Sequence, residues 1–176
     1  MSLVNTPAHI APQQRTRIKM CGFTREADVL AACAAGADAI GFVLYPPSPR
    51  SVNIERSAEL ARLLPAFVQP VLLFVNDTPE RIAAACAVVP GAVLQFHGDE
   101  SPEFCEAMTQ RTGRPHLKAA RIPLSAVQDF DLLEFALIHQ AAQALLLDAH
   151  VDGYGGGGQT FNWSLLPPNV NAHLVL

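Results

Sequence analysis

Short apolar runs alternate along this chain with amphipathic segments, and this alternation limits the fold more than any other feature. Each run has the length of a β-strand and is bounded by turn residues, and a seventh begins near His173. The units repeat every roughly 22 to 32 residues, which is typical of parallel βαβ units. The first six predicted strands are 16–20, 38–44, 70–75, 92–96, 116–120 and 143–148.

The segments between these runs carry residues that begin and end helices. Thr24, Thr78 and Ser101 are predicted N-caps, because a hydroxyl accepts a hydrogen bond from the unpaired amide groups of a first turn. Pro and Glu follow two of these residues, and both are favoured in a first turn. The predicted helices are 25–35, Asn53 or Ile54 to Leu64, Thr78 to Pro90, Ser101 to Gly113, and 126–141.

Composition indicates one domain and excludes several classes of function. Half of the 176 residues are hydrophobic, which fits a sheet covered by helices. A net charge of −4 does not favour nucleic-acid binding. No apolar run reaches the ~18 residues that span a bilayer, so no membrane partner is expected. Residues 1–15 are predicted to be a disordered leader, and 16–176 the folded domain.

Polar residues at the ends of the predicted strands favour a barrel. The carboxyl ends of the strands carry the chemistry of a (β/α)8 barrel. A doubly wound nucleotide-binding sheet would instead have a Gly-rich turn after its first strand, where only Gly22 occurs here. We therefore predict an α/β protein of the (β/α)8, or TIM-barrel, class. The polar residues are Cys21, Asn76, His97, Lys118 and Asp148.

The four cysteines do not form a metal or disulfide pattern. None has CxxC spacing, so a zinc site is not expected. Cys33, Cys86 and Cys105 lie in Ala-rich or helical segments and are interpreted as small buried hydrophobes. A reducing, cytoplasmic location is the simplest setting.

Seven short segments occur in order with the spacing of one known family. They are Lys19–Thr24, Gly41–Val43, Ser48–Arg50, Phe74–Asn76, Leu94–Glu100, Leu146–Ala149, and Gly155–Gly158 with Phe161–Trp163. Together they resemble the phosphoribosylanthranilate isomerases of tryptophan biosynthesis, over residues 16–176. Two positions differ from the family pattern: Gly157 replaces a Ser or Thr, and Asn162 replaces an Asp.

The resemblance implies an eight-stranded (β/α)8 barrel. Leu176, the last residue, falls within the seventh predicted strand. The expectation is therefore an incomplete barrel of about six βα units plus part of strand seven. Unpaired strand edges invite pairing with another chain, so self-association through the open edges is predicted.

The reaction implied by the resemblance is an Amadori rearrangement. It converts N-(5-phosphoribosyl)anthranilate, a small phosphorylated substrate, into 1-(2-carboxyphenylamino)-1-deoxyribulose 5-phosphate. An acid must protonate the furanose oxygen, and a base must remove the proton on C2. Two side chains on opposite sides of the sugar suffice, so no metal or cofactor is expected.

Cys21 and Asp148 match the family's general base and general acid. A free thiol has a pKa of about 8.5, and the ammonium group of Lys19 on the same strand face could favour the thiolate. To donate a proton near neutrality, Asp148 needs a raised pKa. The alternatives are an inert buried thiol at Cys21 and a helix N-cap at Asp148.

Three further features match substrate-binding parts of the family. Arg50 follows a Pro-rich loop and resembles the residue that binds the anthranilate carboxylate. His97 is expected to line the cleft, the alternative being a structural His bonded to a backbone carbonyl. The glycines Gly155, Gly156, Gly157 and Gly158 offer backbone amides that can hold an anion, the alternative being a flexible linker.

The sequence is also compatible with two other functions. A relative of indole-glycerol-phosphate synthase would be expected to use Lys and Glu at strand ends, and Lys19 and Lys118 are available. A catalytically impaired fragment that acts only as a binding or structural protein is the other alternative.

Overall fold

The structure, a computed structural model, describes residues 15–124, 130–149, 154, 163 and 166–176. Its strands form one parallel sheet in chain order, and one helix follows each of the first five strands. This is the predicted βαβ arrangement of a TIM-like α/β fold. The strands are β1 Lys19–Cys21, β2 Ala39–Val43, β3 Gln69–Phe74, β4 Val93–Phe96, β5 His116–Ile122, β6 Ala144–Ala149 and β7 Leu174–Val175.

The helices begin at capping residues that the sequence mostly identified. Thr78 and Ser101 each accept a hydrogen bond from the backbone N–H three residues later, as predicted. Asn53, predicted only as one of two possible starts of its helix, caps α2 in the same way. Gly113 ends the fourth helix in the left-handed conformation. The helices are α1 Glu26–Ala34, α2 Ile54–Ala61, α3 Pro79–Val88, α4 Pro102–Thr112 and α5 Leu132–Ile138.

The predicted cap at Thr24 is wrong. Arg25 occupies the N-cap position of α1, and no side chain caps that end of the helix. The Arg25 guanidinium instead pairs with Asp28 in the first turn, at 2.7 Å. The carbonyl of Thr24 accepts a hydrogen bond from Arg56 at 3.1 Å, which ties the approach to α1 to α2.

Several other bounds differ from the prediction, including the end of α2 at Ala61 rather than Leu64. The first strand begins at Lys19 rather than at residue 16, because Asp38 binds the preceding segment through its carboxylate. That carboxylate accepts from the N–H of Ile18 at 2.8 Å and pairs with Arg15. The fifth helix is shorter than predicted, because Asp131 caps it by accepting from the first backbone N–H groups. Residues 126–129 of the predicted helix lie outside the described residues.

The two faces of the sheet have different neighbours. The outer face, which includes Ile40, Phe42, Phe74 and Phe96, is buried against the helices in the main apolar core. Side chains alternate along a strand, so the intervening residues lie on the inner face. The inner face carries Cys21, Leu73, Gln95, Leu146 and Asp148.

Lys118 lies on the outer face and not at a strand end. It is the third residue of β5, and its register partner Phe96 belongs to the outer core. Its ammonium group is buried and donates to Glu100 at 2.9 Å and to the carbonyl of Gly98 at 2.7 Å. The prediction that Lys118 lies at or just past the end of a strand is therefore wrong.

Strands β1 and β7 are the two edges of the sheet within the described residues. Self-association through these edges stays a prediction. In the same part of the chain, the helices are too short and too polar for any of them to cross a bilayer.

Candidate active site

A cavity of about 240 Å³ lies on the inner face, at the carboxyl ends of the strands. We call it the inner cavity. It is lined by the predicted pair Cys21 and Asp148 and by all three predicted binding side chains, Lys19, Arg50 and His97. The two residues that the sequence separates by more than a hundred positions therefore share one cavity, because parallel strands present their carboxyl ends to the same side.

Cys21 is the last residue of β1 and lies opposite Gly41 of β2. A Cβ atom at position 41 would lie 2.6 Å from the Cys21 Sγ, well inside the ordinary contact distance. Gly41 therefore leaves the space that the thiol occupies. The thiol is half-buried beside Val43 and Leu73, so it is accessible from the inner cavity.

Replacing Gly41 with Ala is expected to lower turnover about 100-fold, because the new methyl group displaces the thiol by about 1 Å. Steady-state kinetics and thiol-labelling rates measure the change. Ala39→Ser is the matched control, because it adds one heavy atom to the same face of β2, two residues from Gly41. Equal turnover in the Gly41 variant and the control would show that the thiol position is not critical.

Asp148, His97 and Gln95 form a connected row of side chains. His97 Nε2 lies 3.0 Å from Asp148 Oδ2, and His97 Nδ1 lies 2.9 Å from Gln95 Nε2. The N–H of His97 donates to the carbonyl of Phe74 at 2.9 Å, which fixes the residue just beyond β4. Both ring nitrogens thus bind side chains rather than a backbone carbonyl, and Asp148, a residue of β6, caps no helix among the described residues.

The hydrogen bond from His97 lowers the pKa of Asp148. Burial acts in the opposite direction, but it is the weaker effect. The expectation of a raised pKa is therefore wrong for the free protein. The sequence did not reveal the partner, because His97 lies 51 residues away along the chain.

Arg50 lies on the loop after β2, and it makes hydrogen bonds both within this loop and to β1. Its N–H donates to the Ser48 hydroxyl at 3.2 Å, and its guanidinium donates to the carbonyl of Cys21 at 3.2 Å. The side chain passes so close to Gly22 that a Cβ there would lie 2.6 Å from it. Arg50 is exposed and lines the inner cavity, so its guanidinium is accessible to a carboxylate.

Sequence reasoning missed the aromatic side of the cavity. The Tyr154 ring packs edge-on against Tyr45, with centroids 5.8 Å apart, and the Arg121 guanidinium lies 4.6 Å from its centre. Its hydroxyl bonds Asn76 and Asp99, and the bond to Asp99 raises the pKa of Tyr154. No motif marks these contacts, because they join distant loops.

Gln95 was also missed, although a signal was present. It lies in the predicted strand 92–96 and precedes His97, the residue just past that strand, by two positions, so alternation predicts that both side chains point to the same face. The predicted anion-binding residues Gly155, Gly156, Gly157 and Gly158 lie outside the described residues.

A second, larger cavity of about 640 Å³ lies on the outer side of β5 and is lined by Lys118, Arg121 and His139. We do not assign the chemistry to it, because neither Cys21 nor Asp148 lines it. Burial lowers the pKa of His139 to about 4. Within the described ranges, no three His, Cys, Asp or Glu side chains are grouped as metal ligands.

Comparison with known proteins gives consistent matches. The model of the N-(5'-phosphoribosyl)anthranilate isomerase family matches residues 18–176. An N-(5'-phosphoribosyl)anthranilate isomerase from Methylibium petroleiphilum is 59% identical over 162 residues, which are 92% of this chain and 72% of the relative.

Two solved structures extend the match to the fold. The phosphoribosyl anthranilate isomerase of Thermotoga maritima has a TM-score of 0.72 and 38% identity, over 86% of this chain and 70% of that one. A phosphoribosyl anthranilate isomerase in complex with reduced 1-(o-carboxyphenylamino)-1-deoxyribulose 5-phosphate has a TM-score of 0.61 and 29% identity, over 78% and 77% of the two chains. This chain belongs to the N-(5'-phosphoribosyl)anthranilate isomerase family.

Proposed function

We propose that this chain is an isomerase that converts N-(5'-phosphoribosyl)anthranilate into 1-(2-carboxyphenylamino)-1-deoxyribulose 5-phosphate in the inner cavity. The observation that carries the proposal is that Cys21 and Asp148 line this one cavity from different strands. A base and an acid at separate positions can act on two sides of one sugar. The family membership gives the substrate.

The reaction begins with two proton transfers that involve Asp148 and Cys21, and the final tautomerisation moves two further protons. Asp148 donates a proton to the furanose oxygen, the bond from C1 to that oxygen breaks, and an iminium group forms at C1. The Cys21 thiolate then removes the proton from C2, which gives an enamine. Proton return to C1 and the loss of the hydroxyl proton at C2 give the ketose, with no net oxidation.

Binding of the substrate favours the protonated form of Asp148, which the lowered pKa of this residue disfavours in the free protein. The substrate brings a phosphate and a carboxylate, and negative charge near a carboxyl group raises its pKa. It also displaces water from the cavity, and desolvation acts in the same direction. The lowered pKa of Asp148 in the free protein is thus compatible with proton donation in the complex.

Other side chains of the inner cavity position the substrate. Arg50 binds the anthranilate carboxylate through its guanidinium, while Lys19 and His97 contact the sugar. The glycine run 155–158 binds the phosphate through its backbone amides. A fold of the (β/α)8 class in the cytoplasm is the proposed setting, and the free thiol of Cys21 fits a reducing compartment.

The alternative synthase chemistry has less support. It needs a lysine at the reacting centre, and Lys118 lies on the outer face with its ammonium group held by Glu100. Lys19 remains in the cavity, but it lies beside a thiol that matches the isomerase family.

The test is an assay of the purified 176-residue chain with N-(5'-phosphoribosyl)anthranilate. We expect the anthranilate fluorescence to change as substrate is converted, and the reduced product analogue to inhibit competitively. Calorimetry measures the binding of that analogue separately. Binding without turnover would favour the binding-protein alternative, and the absence of both would reject the proposed function.

A further inference from the structure

Gln95 carries a buried side-chain oxygen that accepts no hydrogen bond from the described residues. Its side chain is 1% exposed, and its Nε2 lies 2.9 Å from His97 Nδ1. Its Oε1 is buried and has no hydrogen-bond partner within the described residues. A buried amide oxygen without a partner lowers the free energy of unfolding, so its retention here points to a role other than stability.

The two ends of a Gln amide have the same shape and opposite hydrogen-bonding character. As oriented, Gln95 Nε2 donates to His97 Nδ1, so Nδ1 carries no proton. The ring proton is then on Nε2, which donates to Asp148 Oδ2 over 3.0 Å. After half a turn of the amide, Gln95 Oε1 faces His97 Nδ1 and accepts a hydrogen bond from an N–H group there.

We propose that Gln95 is a positioning residue that acts through His97, and that half a turn of its amide lets the His97–Asp148 pair hold one additional proton. This inference rests on the proposed function, because the additional proton is the one that the substrate's ring oxygen takes up. Gln95 itself does not need to touch the substrate.

When the His97–Asp148 pair holds the additional proton, His97 Nδ1 needs a hydrogen-bond acceptor, whichever of the two residues carries the charge. The extra proton gives either an imidazolium beside a carboxylate or a neutral imidazole beside a carboxylic acid. These forms differ only in where one proton lies between His97 Nε2 and Asp148 Oδ2. Nδ1 carries a proton in both, and among the described residues Gln95 is the side chain whose oxygen can accept the hydrogen bond from it. When Asp148 gives its proton to the substrate, the amide turns back.

Other charged groups face this pair from several elements. Lys19 and Cys21 face it from β1, and Arg50 faces it from the loop after β2. Arg121 of β5 acts on Asp148 through its charge, and the Tyr154 hydroxyl lies at the same cavity. Substitutions at position 95 leave all of these groups in place, so a changed titration reports the side chain at position 95.

The experiment compares two replacements of Gln95 that act in opposite directions. Gln95→Met keeps the volume but removes both the donor and the acceptor at His97 Nδ1. The bond to the protonated ring is charge-assisted and therefore the stronger of the two, so the midpoint for protonation of His97 is expected to fall by about one pH unit. Gln95→Glu supplies an acceptor and a negative charge, so the same midpoint is expected to rise. Nitrogen-15 NMR of the imidazole measures both midpoints without substrate, and the spectra also report folding. Gln69→Met is the matched control, because the Gln69 amide binds the carbonyls of Pro70 and Gly91 and does not line the inner cavity.

Kinetics give the second measurement. In Gln95→Met, the pH above which kcat declines is expected to move down by about one unit, so kcat on that side falls about tenfold while KM changes less than about twofold. Midpoints for both variants within about 0.2 units of the wild type would overturn the proposal. The NMR midpoint does not depend on turnover. If the midpoint falls in Gln95→Met and rises in Gln95→Glu but the chain has no isomerase activity, the role of Gln95 is supported and the proposed function is rejected.

Discussion

Replacing Cys21 with Ser is expected to lower kcat/KM by about 10²–10⁴-fold, the typical contribution of a general base. The hydroxyl fits the same space opposite Gly41, so the cavity keeps its shape. An alcohol gives up its proton far less readily than a thiol, so removal of the C2 proton slows. KM for the substrate should change little, because the thiol is not expected to bind it in the ground state.

Cys33→Ser provides the matched control for this measurement. Cys33 is a half-buried thiol beside the main core and does not line the inner cavity. The same loss of a sulfur atom there should leave kcat/KM within about twofold of the wild type. If the Cys21 and Cys33 variants turned over substrate equally fast, Cys21 would not be the base.

Replacing Asp148 with Asn is expected to lower kcat by a similar 10²–10⁴-fold. The amide oxygen can still accept the hydrogen bond that His97 Nε2 makes at 3.0 Å, so the ring keeps its place. What the variant lacks is the proton that the furanose oxygen needs. The dissociation constant of the reduced product analogue should therefore change much less than kcat.

Asp131→Asn is the control for the exchange of a carboxylate for an amide. Asp131 caps α5 by accepting from the N–H groups of Leu133 and Glu134, and Asn is an equally good cap. Its kinetics should match the wild type. A large loss of analogue binding in Asp148→Asn, with unchanged turnover of each bound complex, would make Asp148 a binding residue rather than the acid.

The local features of the fold followed from the sequence. Alternating apolar runs and capped segments depend on neighbouring residues, so Thr78, Ser101 and Gly113 could be assigned as helix ends before any tertiary structure was known. The alternation also predicted the parallel sheet, because short strands joined by helices have few other arrangements. The prediction that Thr24 caps α1 was wrong, because Arg25 takes the N-cap position and pairs with Asp28 within the first turn.

The candidate site was predicted only in its main members. Cys21 and Asp148 stand at the ends of apolar strands within family-like segments, so sequence order and resemblance identified them together. Lys118 looked similar in the sequence, but its register against Phe96 puts it on the outer face, beside Glu100. A strand prediction that is uncertain by one residue cannot decide the face, because successive side chains point in opposite directions.

The sequence by itself determined the order of the strands and helices, most helix ends and the family of the chain, because these depend on residues that are close together or in a fixed order. Only the tertiary structure decided which side chains meet. The row from Gln95 through His97 to Asp148, and the direction of the Asp148 pKa, arise from a hydrogen bond between β6 and the end of β4. Such contacts depend on the curvature and register of the sheet, and no local pattern of residues records them.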